Sequence, residues 1–353
     1  MKKYWSERIQ NLVPYTPGEQ PKDRVFIKLN TNENPYPPSP KVMQAIGAVE
    51  DSALRLYPDP EATALRQAIA EYHGLKPEQV FCGNGSDEVL GLCFYAFFSP
   101  GKKVVFPDIT YSFYPVYTEL FGLDYEQIPL NEDFTLPVEK FLGGNGGAVI
   151  CNPNAPTGRT LPLSEIRRIL HANPDAVVLV DEAYADFGAQ SAVELINEYP
   201  NLIVVCTMSK SRSLAGMRIG YALGSAELIA GVNCVKNSFN SYPLDRLALA
   251  AGEAAIRDVE YFERTRTMVM HTRERTAQRL RAMGFFVHDS NANFLFITHP
   301  DKTGEQLQQG LRERGVLVRW FNKPRISQYL RVSIGTDAEM DAMCAACEDI
   351  LKG

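Results

Sequence analysis

Lys210 occupies an unusual place for a lysine. The run LIVVC at 202–206 is apolar and reads as a buried strand. Thr207, Ser209, Ser211 and Ser213 surround the lysine, and Leu214-Ala215-Gly216 and a basic residue, Arg218, follow. Ammonium is costly to desolvate, so a lysine confined just past a buried strand end has a pKa that falls readily. That suits an amine that forms a Schiff base. Ser209 and Arg218 can offer a hydroxyl and a guanidinium to one anion, most simply a phosphate. By itself the stretch fits two readings equally. One is an exposed loop with a solvated Lys and Arg; the other is a lysine joined to an aldehyde cofactor that carries a phosphate.

Further candidates recur at the ends of apolar runs. VFC at 80–82 gives way to Gly83-Asn84-Gly85, and Ser86-Asp87-Glu88 then opens a strongly apolar helix. Ser86 is a good N-cap, and acidic residues suit a first turn. A glycine turn ahead of a helix N-terminus exposes N–H groups that suit a phosphate, although a plain capped helix fits the residues as well. VVFP at 104–107 leads to Tyr111, and VVLV at 177–180 leads to Asp181 and Tyr184. The needs of one cofactor join these residues. Pyridoxal phosphate requires a lysine for its aldehyde and a carboxylate that keeps its ring nitrogen protonated as an electron sink. It also requires a donor to its phenolic oxygen, an aromatic face against its ring and donors to its phosphate. Lys210, Asp181, Tyr184, Tyr111 and the set Gly85, Ser86, Asp87, Ser209 and Arg218 would fill these roles in turn.

The elements that must hold them follow from the pattern. Short apolar strands at intervals that fit helices argue for an α/β fold with a mostly parallel, doubly wound sheet. Ligands sit at the carboxyl ends of such strands. Residues 1–30 are polar, carry Pro14, Pro17 and Pro21, and read as an N-terminal arm; 31–241 would be the large domain. From 242 the pattern changes to a long helical stretch at about 245–283, then short strands and helices, which predicts a smaller α+β domain over 242–353. The 353 residues, 45% apolar and 22% charged, suit a soluble two-domain protein. A net charge of −6 argues against a general nucleic-acid or membrane surface. No apolar run is long enough to span a bilayer, and the first residues lack the apolar core of a secretory signal. The 7 cysteines are scattered, the 5 histidines form no cluster, and no metal site is expected. A reducing cytoplasm is the expected compartment.

The blocks LNTNENPYPP, RLYPDP, GNGSDE, PNAPTG, VDEAY, SKSRSLAGMRIGY and LRVSIGT, in that order, cover nearly the whole chain. They resemble those of fold-type I pyridoxal-phosphate aminotransferases. The Leu-Tyr-Pro-Asp turn and the short chain favour the branch that acts on histidinol phosphate. The resemblance implies transamination between histidinol phosphate and 2-oxoglutarate, giving imidazole-acetol phosphate and glutamate. It implies that Lys210 carries the cofactor, Asp181 pairs with its pyridine nitrogen and Tyr184 bonds its phenolic oxygen. Tyr111 would stack on the ring. Ser86, Asp87, Thr207, Ser209 and Arg218 would hold the phosphate side, and Tyr57 would reach the partner's cofactor in a homodimer. Arg331 would bind the α-carboxylate of glutamate, with Arg319, Tyr15 and Asn34 lining the substrate pocket.

One position departs from the family pattern. The residue before Pro-Thr-Gly is usually Asn, which bonds the phenolic oxygen; here it is Ala155. Asn154, one residue earlier, is the candidate to turn in and replace it. Within the same fold, a threonine-phosphate decarboxylase or an aromatic amino-acid aminotransferase would share the cofactor set. A non-catalytic sensor would carry a fused basic domain, and none is legible.

Overall fold

The computed structural model describes residues 3–21 and 24–352. In chain order its elements are β1 (Ile27–Leu29), α1 (Pro40–Gly47), α2 (Thr63–His73), β2 (Val80–Asn84), α3 (Gly85–Phe97), β3 (Val104–Pro107), α4 (Phe113–Phe121) and β4 (Tyr125–Ile128). Then come β5 (Gly147–Cys151), α5 (Leu163–Ala172), β6 (Val178–Asp181), β7 (Leu202–Thr207), β8 (Ile219–Gly224) and α6 (Ala226–Phe239). The last part holds α7 (Arg246–Arg257), α8 (Val259–Ala282), β9 (Phe286–Val287), β10 (Phe294–Thr298), α9 (Gly304–Glu313), β11 (Val316–Trp320), β12 (Leu330–Ser333) and α10 (Asp337–Lys352).

The larger sheet has seven strands in the order β2-β8-β7-β6-β5-β3-β4. The pairs from β7 to β4 are parallel, and only β8 runs against its neighbours. Side chains alternate across a strand. Val178 and Val180, with Val204 and Ile150, therefore face one core, while Leu179, Ile203, Val205 and Val149 face the other. Both faces are dry, which explains why these strands are near-continuous apolar runs. Because β8 alone is reversed, the carboxyl ends of β2, β3, β5, β6 and β7 lie at one edge together with the start of β8. That edge collects Gly85, Tyr111, Asp181, Lys210 and Arg218.

The smaller sheet has five strands in the order β1-β11-β12-β10-β9, antiparallel except for the β1–β11 pair. Its core joins Leu295, Val316, Val318 and Val332 to the inner faces of α8, α9 and α10. Two expectations change here. Residues 27–29 are not part of a free arm but a strand parallel to β11, because Leu29 is buried in that core. The helical stretch at 245–283 is two helices broken at Asp258, whose carboxylate accepts bonds from the Ser39 hydroxyl and from Lys41 Nζ. The buried face of α7 belongs to the core of the larger sheet.

Candidate active site

Every residue of β7 is buried, so the chain leaves it inside the protein and Lys210 begins in a dry place. Lys210 Nζ donates to the Thr31 carbonyl at 3.1 Å. Burial, helped by the nearby Arg331 guanidinium, pushes the lysine down to about 8, although Glu33 and Asp87 oppose this. Asn34 Nδ2 donates to the carbonyls of Lys210, at 3.0 Å, and Ser211, at 3.2 Å. Asn34 thus fixes the loop and does not line the cleft, contrary to its expected place in the substrate pocket.

A set of anion donors lies beside the lysine. Ser86 and Asp87 stand in the first turn of α3, whose N-cap is Asn84 and not Ser86. The Asn84 side chain makes no cap bond and Glu88 Oε2 accepts the Asn84 N–H at 2.6 Å, which leaves the N–H groups of the first turn for a ligand. Arg218 enters from the start of β8 and pairs with Asp87 at 3.2 Å. Two glycines permit this approach. A Cβ on Gly85, whose φ is +82°, would come within 2.4 Å of the Arg218 guanidinium, and one on Gly220 within 2.3 Å of the Ser86 nitrogen. Thr207 and Ser209 complete the set, their hydroxyls 3.0 Å apart.

Asp181 ends β6 and is 3% exposed. Burial lifts its carboxyl to about 6; bonds from Tyr114 Oη, at 2.7 Å, and the Ala183 N–H, at 3.2 Å, hold it down. Tyr184 is pushed up to about 12 by burial, while the Arg331 charge and a bond from Asn32 pull it back. Tyr111 Oη donates to Asp87 Oδ1 at 2.7 Å. Tyr15 stacks on Phe113, with ring centroids 4.6 Å apart, and lies 6.1 Å from Tyr111. Arg319 and Arg331 pair across β11 and β12 and reach the same cleft. Arg331 Nη2 donates to the Asn30 carbonyl at 2.9 Å, and its Nε is buried without a partner among the described residues, against the ordinary rule for polar groups. The cleft holds about 340 Å³.

These residues fit pyridoxal phosphate. A depressed lysine, a buried carboxylate, a glycine-backed anion cradle and an orphaned guanidinium nitrogen share one cavity. The aminotransferase class I and II family model matches residues 24–347. The chain belongs to the class I and II aminotransferases. It is 57% identical to a histidinol-phosphate aminotransferase of Clostridium acetobutylicum over 96% of this chain and 97% of that one. To the enzyme of the same name from a Marinomonas species it is 54% identical, over 99% of this chain and 100% of the other. Among solved structures it is similar to histidinol-phosphate aminotransferase from Sinorhizobium meliloti in complex with pyridoxal-5′-phosphate, with a TM-score of 0.88, 24% identity and coverage of 99% and 98%.

In this aminotransferase the structure gathers Ser86, Asp87, Tyr111, Asp181, Tyr184, Thr207, Ser209, Lys210, Arg218, Arg319, Arg331 and Tyr15 around the cleft. Asn154 is not among them. Its Nδ2 donates to the Ile109 carbonyl, at 2.9 Å, and to Thr157 Oγ1, so it faces away while Ala155 lines the cleft. The side-chain direction reverses between neighbours, and Asn154 cannot replace the missing amide. Tyr57 is 78% exposed and stacks on Tyr242, with centroids 4.6 Å apart, outside this chain's own cleft. Tyr114, which backs Asp181 from behind the cleft, and the cleft residues Asn32 and Glu33 escaped the sequence reading. Tyr114 lies three positions after Tyr111, in FYPVY at 113–117, which is apolar on every side. Asn32 and Glu33 lie in the Asn-rich LNTNENP loop, whose composition marked a loop and nothing more.

Proposed function

We propose that this aminotransferase moves an amino group between histidinol phosphate and 2-oxoglutarate, giving imidazole-acetol phosphate and glutamate. The observation that carries the reading is the meeting of Lys210 with two arginines, Arg319 and Arg331, across one cleft. When bound, pyridoxal phosphate supplies the aldehyde that accepts the amino group and the ring that withdraws electrons from the substrate carbon. Lys210 would hold it covalently and, once freed as an amine, take the proton from the substrate Cα through Nζ. Its depressed pKa leaves a share of that amine unprotonated near neutral pH. Asp181 would keep the ring nitrogen protonated, and Tyr184 would donate to the phenolic oxygen. Ser86, Asp87, Thr207, Ser209 and Arg218 would hold the phosphate.

Histidinol phosphate has no α-carboxylate, and glutamate has two carboxylates and no ring. One pocket must take both in turn. Arginine suits either anion because its planar fork bonds carboxylate and phosphate alike. The orphaned Nε of Arg331 is a donor waiting for such a partner. We further propose a cytoplasmic homodimer in which Tyr57 reaches the partner's site. The exposed Leu54, Leu56, Tyr57, Phe239 and Tyr242 support a covered face, and the unpaired thiols suit a reducing compartment.

Borohydride reduction of the holoenzyme should fix the cofactor on Lys210, and Lys210→Ala should leave no adduct and almost no turnover. The wild type should convert histidinol phosphate well over about tenfold more efficiently than phenylalanine, since phosphate adds binding that phenylalanine lacks. Preference for phenylalanine, or release of CO2 from threonine phosphate, would overturn the substrate assignment.

A further inference from the structure

Asn32 is held on three sides in the wall of the cleft. Its φ is +56°, a left-handed conformation that asparagine tolerates better than most residues, and it is 1% exposed. Its carbonyl accepts from Asn293 Nδ2 at 2.9 Å. Its backbone N–H donates to Ser333 Oγ at 2.8 Å, and the Ser333 hydroxyl donates back to Asn32 Oδ1 at 2.9 Å. Its Nδ2 donates to Tyr184 Oη at 3.0 Å.

Ser333 Oγ accepts the backbone N–H and gives its own single hydrogen to Oδ1. In this arrangement the amide nitrogen faces Tyr184. By taking a lone pair of the tyrosine oxygen, it leaves the phenol hydrogen free to donate into the cleft. A hydroxyl that accepts one bond is also a stronger donor of the next. Ala155, on the same cleft, has no polar side-chain atom to share the task.

We propose that Asn32, clamped by Ser333, is a positioning residue that aims the Tyr184 hydroxyl at the cofactor's phenolic oxygen. This rests on the aminotransferase reading above. The relay starts on β12 and ends at the cofactor, so it ties the smaller sheet to the site held by the larger one. The charged and titratable groups that act on Tyr184 are Arg331 from β12, Asp181 from β6 and the Cys151 thiol from β5, and Lys210 from the loop after β7 places its Nζ 5.9 Å from the ring centroid. Replacing Asn32 or Ser333 removes none of these groups.

The test is the visible absorbance of the bound cofactor against pH, with cofactor affinity for the apoenzyme by fluorescence. Losing a donor to the phenolic oxygen leaves its negative charge less stabilised, so the pH midpoint moves up. Asn32→Ala should raise it by about half to one pH unit and weaken cofactor binding roughly threefold to tenfold. Ser333→Ala should move it the same way by less, and it decides the matter should the Asn32 variant not fold. Neither change should add to the shift made by Tyr184→Phe, since both act through that hydroxyl. Equal shifts in the Tyr184→Phe background, or an unmoved midpoint in a folded variant, would overturn the relay alone. A wild-type chain that takes up no cofactor would overturn the relay and the aminotransferase reading together.

Discussion

The hydroxyl of Tyr114 donates to Oδ2 of Asp181 at 2.7 Å, and both groups are closed off from solvent. Burial lifts the Asp181 carboxyl to about 6, and the tyrosine works against that lift. A carboxylate that must pair with a protonated ring nitrogen is useful only while ionised. Tyr114→Phe therefore raises the carboxyl further and enlarges its neutral fraction near neutral pH. A bond to a charged group is worth about 1.5–3 kcal/mol, so the apoenzyme should bind cofactor roughly tenfold to hundredfold more weakly. Part of the loss should return as pH rises and the carboxyl ionises again. Titrating cofactor into the apoenzyme across pH checks both; a loss that does not vary with pH would count against the role.

Glu182 follows Asp181 but serves a different place. Its Oε2 accepts from the Ser191 hydroxyl at 2.5 Å and its Oε1 from the Ala192 N–H at 2.6 Å. Burial raises it from 4.5 to about 8. Between those values the folded chain holds a proton that the unfolded chain has released. Stability from this group therefore falls as pH rises through that window. Asp181 has the same sign, but only between 3.8 and about 6. Glu182→Gln removes the titration, so the loss of thermal stability above pH of about 6 should become shallower. Melting curves at a series of pH values measure it, and an unchanged slope would assign the decline to other groups.

How far the site could be read in advance depended on where each residue sits. Lys210, Asp181 and Tyr111 follow apolar runs, and a strand end marks a residue without any knowledge of side-chain direction. Tyr114 has no such marker. FYPVY at 113–117 is apolar on every side, so no stripe tells which tyrosine turns toward β6. Asn32, Asn34 and Asn154 show a related limit. Composition places them in loops, but side-chain direction depends on backbone angles that no period encodes. One turned to Tyr184, one to the carbonyls of the lysine loop and one away from the cleft. The three residues of β1 were too few to show alternation, and only the pairing with β11 reveals them as a strand.

Arg331 carries the next prediction. One amino group is spent on the Asn30 carbonyl, which fixes the guanidinium in place, and the buried Nε is unpaired among the described residues. A bound carboxylate would relieve that cost and receive a planar pair of bonds. Lysine in its place keeps the charge but presents a compact ammonium that cannot hold the Asn30 carbonyl and a two-pronged contact together. Arg331→Lys should lower kcat/KM roughly tenfold to hundredfold, the value of one charged hydrogen bond. Single-turnover measurements with glutamate and with histidinol phosphate should both show it. A loss confined to histidinol phosphate would move the carboxylate contact to Arg319.

The final prediction concerns the unit that acts. Tyr57 is 78% exposed, an uncommon state for a large aromatic, and it is held in place by stacking on Tyr242. Arg246 Nη2 also donates to its carbonyl at 2.9 Å. An ordered, exposed ring among Leu54, Leu56 and Phe239 is suited to meet a second copy of the chain. If its hydroxyl reaches the partner's phosphate donors, a variant at Tyr57 damages the neighbour's site, whereas Lys210→Ala damages its own. Each mixed dimer of the two variants then holds one site with both lesions and one with neither. Mixing Tyr57→Ala with Lys210→Ala should restore activity toward half the wild-type value per mixed dimer, while each variant alone stays impaired. Subunit exchange can be followed with differently tagged chains. Exchange without recovery would place Tyr57 in the service of its own chain.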